Sequence, residues 1–140
     1  MVHALNEIRG VLAPDGLLID LRPLLDRWPV EVAWSDGYQE AGRATDLEEP
    51  RADDEAANVA MTHIAGTGGF ARERQETFPV FYYWNTPKEM QEYIAENWDD
   101  VIRIDEPAST DLRSLWATAN ADARVRLRMK LLITRYRISQ

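Results

Sequence analysis

The stretch LNEIRGVLAPDGLLIDLRP, residues 5–23, combines the local signals from which the fold can be predicted. Leu5 and Ile8 lie at helical spacing, so the stretch begins as an amphipathic helix. Pro14-Asp15-Gly16 has the residues of a tight turn. The run Leu17–Leu21 is apolar except for one acidic residue, which is typical of a strand buried on both faces in a parallel sheet. The segment therefore predicts a helix, a turn and a buried strand.

Outside this segment the chain reads as further strands and helices. Thr86-Pro87-Lys88-Glu89 has the residues of a helix start, since Thr can cap, Pro suits the first turn and Glu can complete a capping box. In the last strand the apolar residues change phase near Leu132–Thr134, where a bulge would fit. The sequence predicts a hairpin over 30–44, an acidic loop over 46–55, helices over 55–64, 87–97 and 110–119, and strands over 75–84, 101–104 and 125–138.

These elements define the expected fold class. We predict an α/β domain, with α+β as the alternative, built on a mixed sheet of about four to five strands with about three to four helices. The last strand is expected to run antiparallel. The whole chain, residues 1–140, is expected to form a single domain.

Composition is that of an ordinary globular protein. Hydrophobic residues make up 45% and charged residues 29% of the chain. No apolar run approaches the ~18 residues of a membrane span, and no basic region followed by an apolar run marks a signal peptide. Since the sequence has no cysteine, disulfides, thiolate metal sites and cysteine nucleophiles are excluded. We expect a cytoplasmic protein with no membrane partner.

The net charge of −8 is unevenly distributed along the sequence. Residues 123–140 carry six basic and no acidic side chains, whereas the preceding residues carry 10 basic and 24 acidic ones. An acidic protein lacks the basic footprint of general nucleic-acid binding, so no nucleic-acid partner is expected. The basic segment has two interpretations: a surface for RNA or another anion, and, preferred here, a solvated or internally paired strand face.

Residues 5–23 resemble one segment of the class I S-adenosylmethionine-dependent methyltransferases. In that family the helix after the fourth strand ends in a run such as E-x-x-R-V-L-x-P-G-G, and the fifth strand follows. Gly10 is an insertion relative to this run, and Asp15 stands where glycine is usual. The resemblance implies the C-terminal half of that fold (helix, strand, helix, antiparallel last strand), as in members acting in ubiquinone or menaquinone biosynthesis. The matching residues are Glu7, Arg9, Val11, Leu12, Pro14, Gly16 and Leu17.

The half of the family's fold that binds the methyl donor has no counterpart in this sequence. The family uses a Gly-rich turn of the D/E-x-G-x-G-x-G kind after a strand, and an acidic residue after the second strand. Because four residues precede Leu5, strands one to four are not expected. The GTGG run at 66–69 follows a predicted helix and is interpreted as its end. We expect this chain alone to bind no cofactor, and S-adenosylmethionine only if a partner supplies the missing half.

Two pairs of residues are candidates for substrate binding, and no catalytic residue can be assigned. Asp20 and Arg22 are expected at the carboxyl end of the first strand, where ligands bind in open α/β sheets; a solvated salt bridge is the alternative. Tyr82 and Trp84 end the aromatic strand, and the resemblance implies that aromatic residues here shape an acceptor pocket; core or dimer packing is the alternative. Neither histidine has companions at ligand spacing, so no metal site is predicted.

The expected partner is a second copy of the chain. A strand such as Leu17–Leu21 needs both faces covered and both edges paired, and a symmetric dimer is the simplest way to provide this. We expect a homodimer whose interface uses Leu17–Leu21 and Phe78–Trp84, with a methyltransferase subunit as the other candidate partner.

The resemblance and the missing motif together define the expected function. We expect a methyltransferase-related scaffold or partner subunit that does not transfer methyl groups on its own; whether it is an enzyme is left open. The alternative is a small-molecule-binding protein or enzyme with a pocket rebuilt at a dimer interface and a link to quinone biosynthesis. A third hypothesis is methyl transfer in a complex whose partner supplies the cofactor half.

Overall fold

The computed structural model describes residues 2–67 and 69–138, and of Val2 the backbone only. These residues form two compact units. Unit 1 comprises the chain up to Leu24, Ala52–Phe78 and the chain from Leu131 onward, and unit 2 comprises Leu25–Arg51 and Pro79–Lys130. The elements are α1 (Val2–Val11), β1 (Leu17–Leu24), β2 (Pro29–Trp34), β3 (Gly37–Arg43), β4 (Thr45–Asp46), α2 (Glu48–Gly66), β5 (Phe70–Trp84), α3 (Pro87–Asn97), β6 (Ile102–Arg103), α4 (Glu106–Ala117) and β7 (Arg124–Ile138).

The described residues form a mixed α/β architecture, as predicted. They comprise four helices, a main sheet of five strands and a small sheet of β4 and β6. The main sheet is antiparallel, where a mixed sheet with an antiparallel last strand was predicted. In the main sheet the strand order is β1-β7-β2-β3, and β5 also pairs with β7. The last strand runs antiparallel to β2, with Val30 opposite Leu127.

The first strand differs from its prediction in length and in burial. β1 continues to Leu24, so Asp20 and Arg22 lie within the strand and not at its carboxyl end. Its residues alternate between more and less exposed, which is the pattern of an antiparallel strand with one covered face. The prediction of a strand buried on both faces was wrong, because apolar composition does not specify how many faces are covered. Within β1, the large apolar side chains that are exposed are Leu17 (42%), Ile19 (51%) and Leu21 (56%).

Unit 1 buries its own apolar core under α1 and α2. Leu5 of α1 and Met61 of α2 pack with Phe70 and Tyr136. The rings of Phe70 and Tyr136 meet edge to face, with centroids 6.5 Å apart, an arrangement that aromatic quadrupoles favour. Leu18 of β1 packs against this core. Since alternate side chains of a strand point to opposite faces, the exposed residues of β1 lie on the face away from this core.

The second helix begins within the predicted acidic loop over Asp46–Glu55. α2 begins at Glu48, so most of that segment is helical. Pro50 is tolerated there because the first-turn N–H groups of a helix have no partner within the helix. Acidic residues in the first turn are also favoured by the helix dipole. The helix ends at Gly66, in the run predicted to stop it, and Gly68 of that run lies outside the described residues.

Unit 2 is built on the predicted hairpin of β2 and β3. Trp34 lies opposite Gly37, so the reversal falls at Ser35-Asp36, one residue before the predicted pair Asp36-Gly37. α4 approaches β3 closely, because a Cβ placed on Gly42 would lie 2.8 Å from the Ala108 Cβ. The largest buried members of its core are Trp28, Val30, Val32, Trp84, Met90, Ile94, Ile102, Leu112, Val125 and Leu127.

The start of α3 was predicted correctly, whereas α4 begins four residues before its predicted start. The Thr86 hydroxyl accepts a hydrogen bond from the Glu89 N–H at 3.1 Å, as the predicted cap requires. The Glu89 carboxylate accepts from the Asn85 N–H at 3.0 Å, one residue earlier than in a standard capping box. α4 begins at Glu106 and not at residue 110, since a proline in its first turn starts the helix sooner.

The burial of the last strand changes phase, as predicted, but earlier along the strand than the predicted position near Leu132–Thr134. Val125 and Leu127 are buried in the first part of β7, whereas Leu132 and Thr134 are buried in the second part. The change falls around Lys130, the last residue that the strand contributes to unit 2. β7 therefore contributes core residues to both units, from odd-numbered positions in unit 2 and from even-numbered positions in unit 1.

Candidate functional site

Unit 1 contains a cavity of about 590 Å³ that is lined by both polar and apolar side chains. This volume lies in the range of roughly 300–1,000 Å³ found for small-molecule sites. The helix α2, the strands β1 and β5, and the end of β7 each contribute side chains to it. The polar side chains that line it are Arg22, Asn58, Thr62, Arg72, Gln75 and Tyr136.

Arg22, one of the predicted site residues, lines this cavity and is held by two carboxylates. Its Nε lies 3.0 Å from Asp20 Oδ2, and its Nη1 lies 3.6 Å from Asp54 Oδ1. Nη1 also donates to the Asp54 main-chain oxygen at 3.5 Å. The salt bridge expected for Asp20 and Arg22 therefore forms. Since all three side chains are only about 15% exposed, it is largely shielded from solvent. Such a pair orients the guanidinium plane.

Tyr136 supplies a buried phenol to the same cavity. The side chain is 3% exposed. Burial, reinforced by the nearby Asp20 carboxylate, raises the pKa of the phenol above its ordinary value, against an opposing hydrogen bond with Thr134. The Thr134 hydroxyl also accepts from Gln75 Nε2 at 3.0 Å, which positions that amide at the wall. The phenol therefore stays protonated at neutral pH and can donate or accept a hydrogen bond.

Arg22 is the one polar residue of this cavity that was predicted as a site residue. Arg72, near the start of β5, is among those that were not. It lies in a strand that begins at Phe70, five residues before the predicted start, so no predicted element contained it. The side chain is exposed, and in the described part of the chain it makes no ion pair. The sequence carries no signal for its role, because its neighbours in the cavity come from distant positions.

The other predicted pair, Tyr82 and Trp84, belongs to unit 2 and forms part of an aromatic cluster. Their rings stack with centroids 6.1 Å apart, and Trp98 meets Tyr82 edge to face at 4.9 Å. Tyr93 completes the cluster. Trp84 is 9% exposed and is a core residue, whereas Tyr82 is 38% exposed. Core packing, the stated alternative, describes Trp84, and substrate binding by either residue stays a prediction.

A second polar cluster, on the sheet of unit 2, was not predicted. Glu31 is 2% exposed, yet it pairs with Arg126 Nε at 2.6 Å and Arg128 Nε at 3.2 Å. Both guanidinium groups lie 4.4–4.9 Å from the ring centroids of Tyr38 and Phe81, as in cation–π contacts. Glu31 occupies one position of an otherwise apolar strand, and its partners lie across a strand pair that cannot be inferred from local sequence.

The basic last strand is, as preferred above, largely paired within the chain. Besides Arg126 and Arg128, Lys130 lies 3.0 Å from Asp26 in unit 2. In unit 1, Glu73 binds both Arg135 and Arg137. The guanidinium of Arg124 lies over the Tyr83 ring at 4.6 Å. Most of the positive charge of this segment is therefore engaged in ion pairs and cation–π contacts within the chain.

Two kinds of feature do not occur in residues 2–67 and 69–138. None of their His, Asp and Glu side chains form a group of three or more that could hold a metal ion. None of their helices is long and apolar enough to cross a membrane.

No protein-family model, curated protein or solved structure matches this chain.

Proposed function

We propose that this protein is a methyltransferase-related subunit that acts by association and does not transfer methyl groups on its own. The order of elements supports this in part: α1, β1 and α2 are followed by β5 and an antiparallel last strand. The resemblance of residues 5–23 implies a helix, a strand, a helix and an antiparallel last strand, whereas here β2, β3 and β4 lie between β1 and α2, and α3, β6 and α4 lie between β5 and β7. The sequence contains no D/E-x-G-x-G-x-G run, the motif with which the resembling family binds its methyl donor.

The observation that carries the proposal is the uncovered side of β1. Leu17, Ile19 and Leu21 alternate along one face and are each about half exposed. β1 also ends the strand order of the main sheet, so among the described strands it pairs only with β7. A strand with a free edge and an apolar face is a site for pairing with another chain.

A second copy of the chain is the occupant we propose, with a methyltransferase subunit as the other candidate. Beside Ile19 the same part of unit 1 carries Arg74, Arg135 and Glu76. A surface with apolar residues and both signs of charge can complement itself about a two-fold axis. The interface would use Leu17–Leu21 and Phe78–Trp84; in the latter segment Phe78, Tyr82 and Tyr83 are also about two-fifths exposed.

The strength of this contact can be estimated from the exposed side chains of β1. Burying the accessible half of one Leu or Ile is worth about 1 kcal/mol. The three side chains from each of two copies then contribute roughly 6 kcal/mol, while association costs about 4–15 kcal/mol. The apolar face alone is therefore marginal, and a stable dimer also needs backbone hydrogen bonds along the open edge of β1 or the additional aromatic contact.

The test of association is the mass in solution at micromolar concentration, measured by light scattering after gel filtration. We expect a dimer for the wild type and a monomer for Leu21→Glu, because the interface would have to bury an unpaired carboxylate. Val59→Glu is the matched control, since Val59 is 69% exposed on α2 of the same unit. It should remain dimeric. A monodisperse wild-type monomer would contradict the proposal.

The test of the missing activity is calorimetric titration with S-adenosylmethionine and S-adenosylhomocysteine. We expect no binding of either compound by a well-folded dimer. Micromolar binding would mean that a cofactor site has been rebuilt, and the proposal would then be replaced by an enzymatic one. If binding appears only after addition of a methyltransferase subunit, the partner supplies the cofactor half.

A second candidate function is favoured by the cavity of unit 1. Its volume and its polar and apolar lining fit a small molecule. In this alternative the protein is a small-molecule-binding protein or enzyme, with a pocket completed at a dimer interface and a link to quinone biosynthesis. Arg22, held by Asp20, would then orient a substrate in this cavity. Substrate binding by Tyr82 and Trp84, which belong to unit 2, stays a separate prediction.

A further inference from the structure

The cavity of unit 1 has a charge pattern that runs against the composition of the chain. Acidic residues outnumber basic ones by 24 to 16 in the sequence. Nevertheless the described residues that line the cavity include two arginines, Arg22 and Arg72, and no acidic side chain. A cavity of similar size in unit 2, about 580 Å³, is lined by Asp99 and Glu106 as well as Arg103. The unit 1 cavity is therefore the one whose wall favours an anion.

Arg22 is held so that one of its nitrogens can donate a hydrogen bond to a ligand. Asp20 engages its Nε and Asp54 engages its Nη1. Nη2 has no acceptor among the described residues. The two carboxylates hold the planar group in place without entering the cavity wall. Because a guanidinium binds carboxylates through paired, directed N–H groups, a fixed Arg22 can donate from its remaining nitrogen at little entropic cost.

Arg72 provides a positive charge that no nearby carboxylate offsets. The two carboxylates beside Arg22 offset its positive charge, whereas Arg72 has no ion pair in the described part of the chain. It is exposed at the wall, so a ligand can reach it without unfolding any element. An anion placed here would meet one uncompensated guanidinium and one oriented guanidinium.

The rest of the wall indicates what the anion is attached to. Met61 and Ala65 of α2 form an apolar patch, while the Tyr136 phenol and the Gln75 amide offer hydrogen bonds. A cavity of about 590 Å³ is far larger than a bare inorganic ion needs. Apolar contact, neutral hydrogen-bonding groups and paired guanidiniums together match an organic acid with a carbon body.

We propose that the unit 1 cavity binds a small organic carboxylate, with Arg72 as the main charge partner and Arg22 as the orienting donor. Tyr136 and Gln75 contact polar groups on the body of the ligand, and Met61 contacts its apolar part. This inference does not rest on the proposed association, because every residue it uses belongs to unit 1 of one chain.

The experiment is calorimetric titration of the full chain with acetate, succinate and benzoate, with inorganic phosphate and chloride as controls at matched ionic strength. We expect saturable binding of at least one carboxylate by the wild type. Arg72→Gln should weaken that binding about ten- to hundredfold, the equivalent of one charge-assisted hydrogen bond. Tyr136→Phe should weaken it about two- to tenfold.

Arg74→Gln is the matched control. Arg74 lies two residues further along β5, pairs with Glu76 and is 69% exposed, and its loss changes the net charge by the same amount. It should alter the affinity by no more than about twofold. The proposal is overturned if no carboxylate binds saturably at millimolar concentration, if phosphate alone binds, or if the two arginine variants lose affinity equally. Light scattering on the same samples keeps this result separate from the association test.

Discussion

Replacing Glu31 by glutamine tests how much the buried charge cluster contributes to unit 2. Glu31 is 2% exposed and accepts from Arg126 and Arg128, whose side chains are 11% and 28% exposed. Glu31→Gln keeps the size of the side chain and one acceptor oxygen but removes the negative charge. Two guanidiniums on the same face of β7 are then left close together without a counter-charge.

The expected loss of stability follows from the burial of the three groups. Removing one partner of a buried ion pair costs about 3–5 kcal/mol. Arg128 is partly solvated, and the amide oxygen of Gln can still accept a bond worth about 1 kcal/mol. We therefore expect Glu31→Gln to lower the free energy of unfolding by about 2–3 kcal/mol. With a urea dependence of about 2 kcal/mol/M, the midpoint should fall by roughly 1–1.5 M.

Tryptophan fluorescence during urea unfolding is the assay. All five tryptophans of the chain belong to unit 2, so the signal reports on the unit that contains Glu31. Glu40→Gln is the matched control, because Glu40 lies opposite Glu31 in the hairpin register and forms a half-exposed pair with Arg43. The control should shift the free energy of unfolding by no more than about 0.5 kcal/mol.

Two results would refute this reasoning. One is a shift for Glu31→Gln no larger than that of Glu40→Gln, which would mean that the buried pair contributes no net stability. The other concerns the double variant Glu31→Gln with Arg128→Gln. It should be more stable than Glu31→Gln alone, because it removes the uncompensated repulsion; additive losses would show that the two charges do not interact.

Three further predictions concern packing and pH. Gly42→Ala should destabilise unit 2 by about 1–3 kcal/mol, because the added methyl group would clash with Ala108. Gly10→Ala should stabilise its helix by about 1 kcal/mol, because the added methyl group would meet no atom within 4 Å. Thermal unfolding of the two variants measures both effects. The raised pKa of Tyr136 means that its contribution to stability is complete below about pH 10, the ordinary value, and is lost as pH rises through the folded value. Tyr136→Phe should therefore lose less stability than wild type in alkaline urea titrations. The Thr45 hydroxyl and Arg103 lower the pKa of Asp105, so its contribution is present above about pH 4 and is lost on acidification; Asp105→Asn should flatten this acid loss.

The elements that depend on neighbouring residues were predictable from the chain alone. The start of α3 follows from Thr86, Pro87 and Glu89, because a helix cap is completed within four residues. The hairpin and the period-two last strand follow from turn residues and from alternation, whereas the phase change along β7 falls earlier than the order of its apolar side chains predicted. In these cases the interacting groups are close in sequence, so their pattern is sufficient.

The site and the exposed strand were decided by tertiary structure. The apolar run Leu17–Leu21 is compatible with one or two covered faces, and only the strands and helices that pack against it determine which. Glu31 is buried because strand pairing brings it to two arginines 95 and 97 positions away. Arg22 and Arg72 line one cavity for the same reason. Whether a charged side chain is paired or available to a ligand depends on residues far away in the sequence. The local sequence pattern does not show which of these residues the fold brings close.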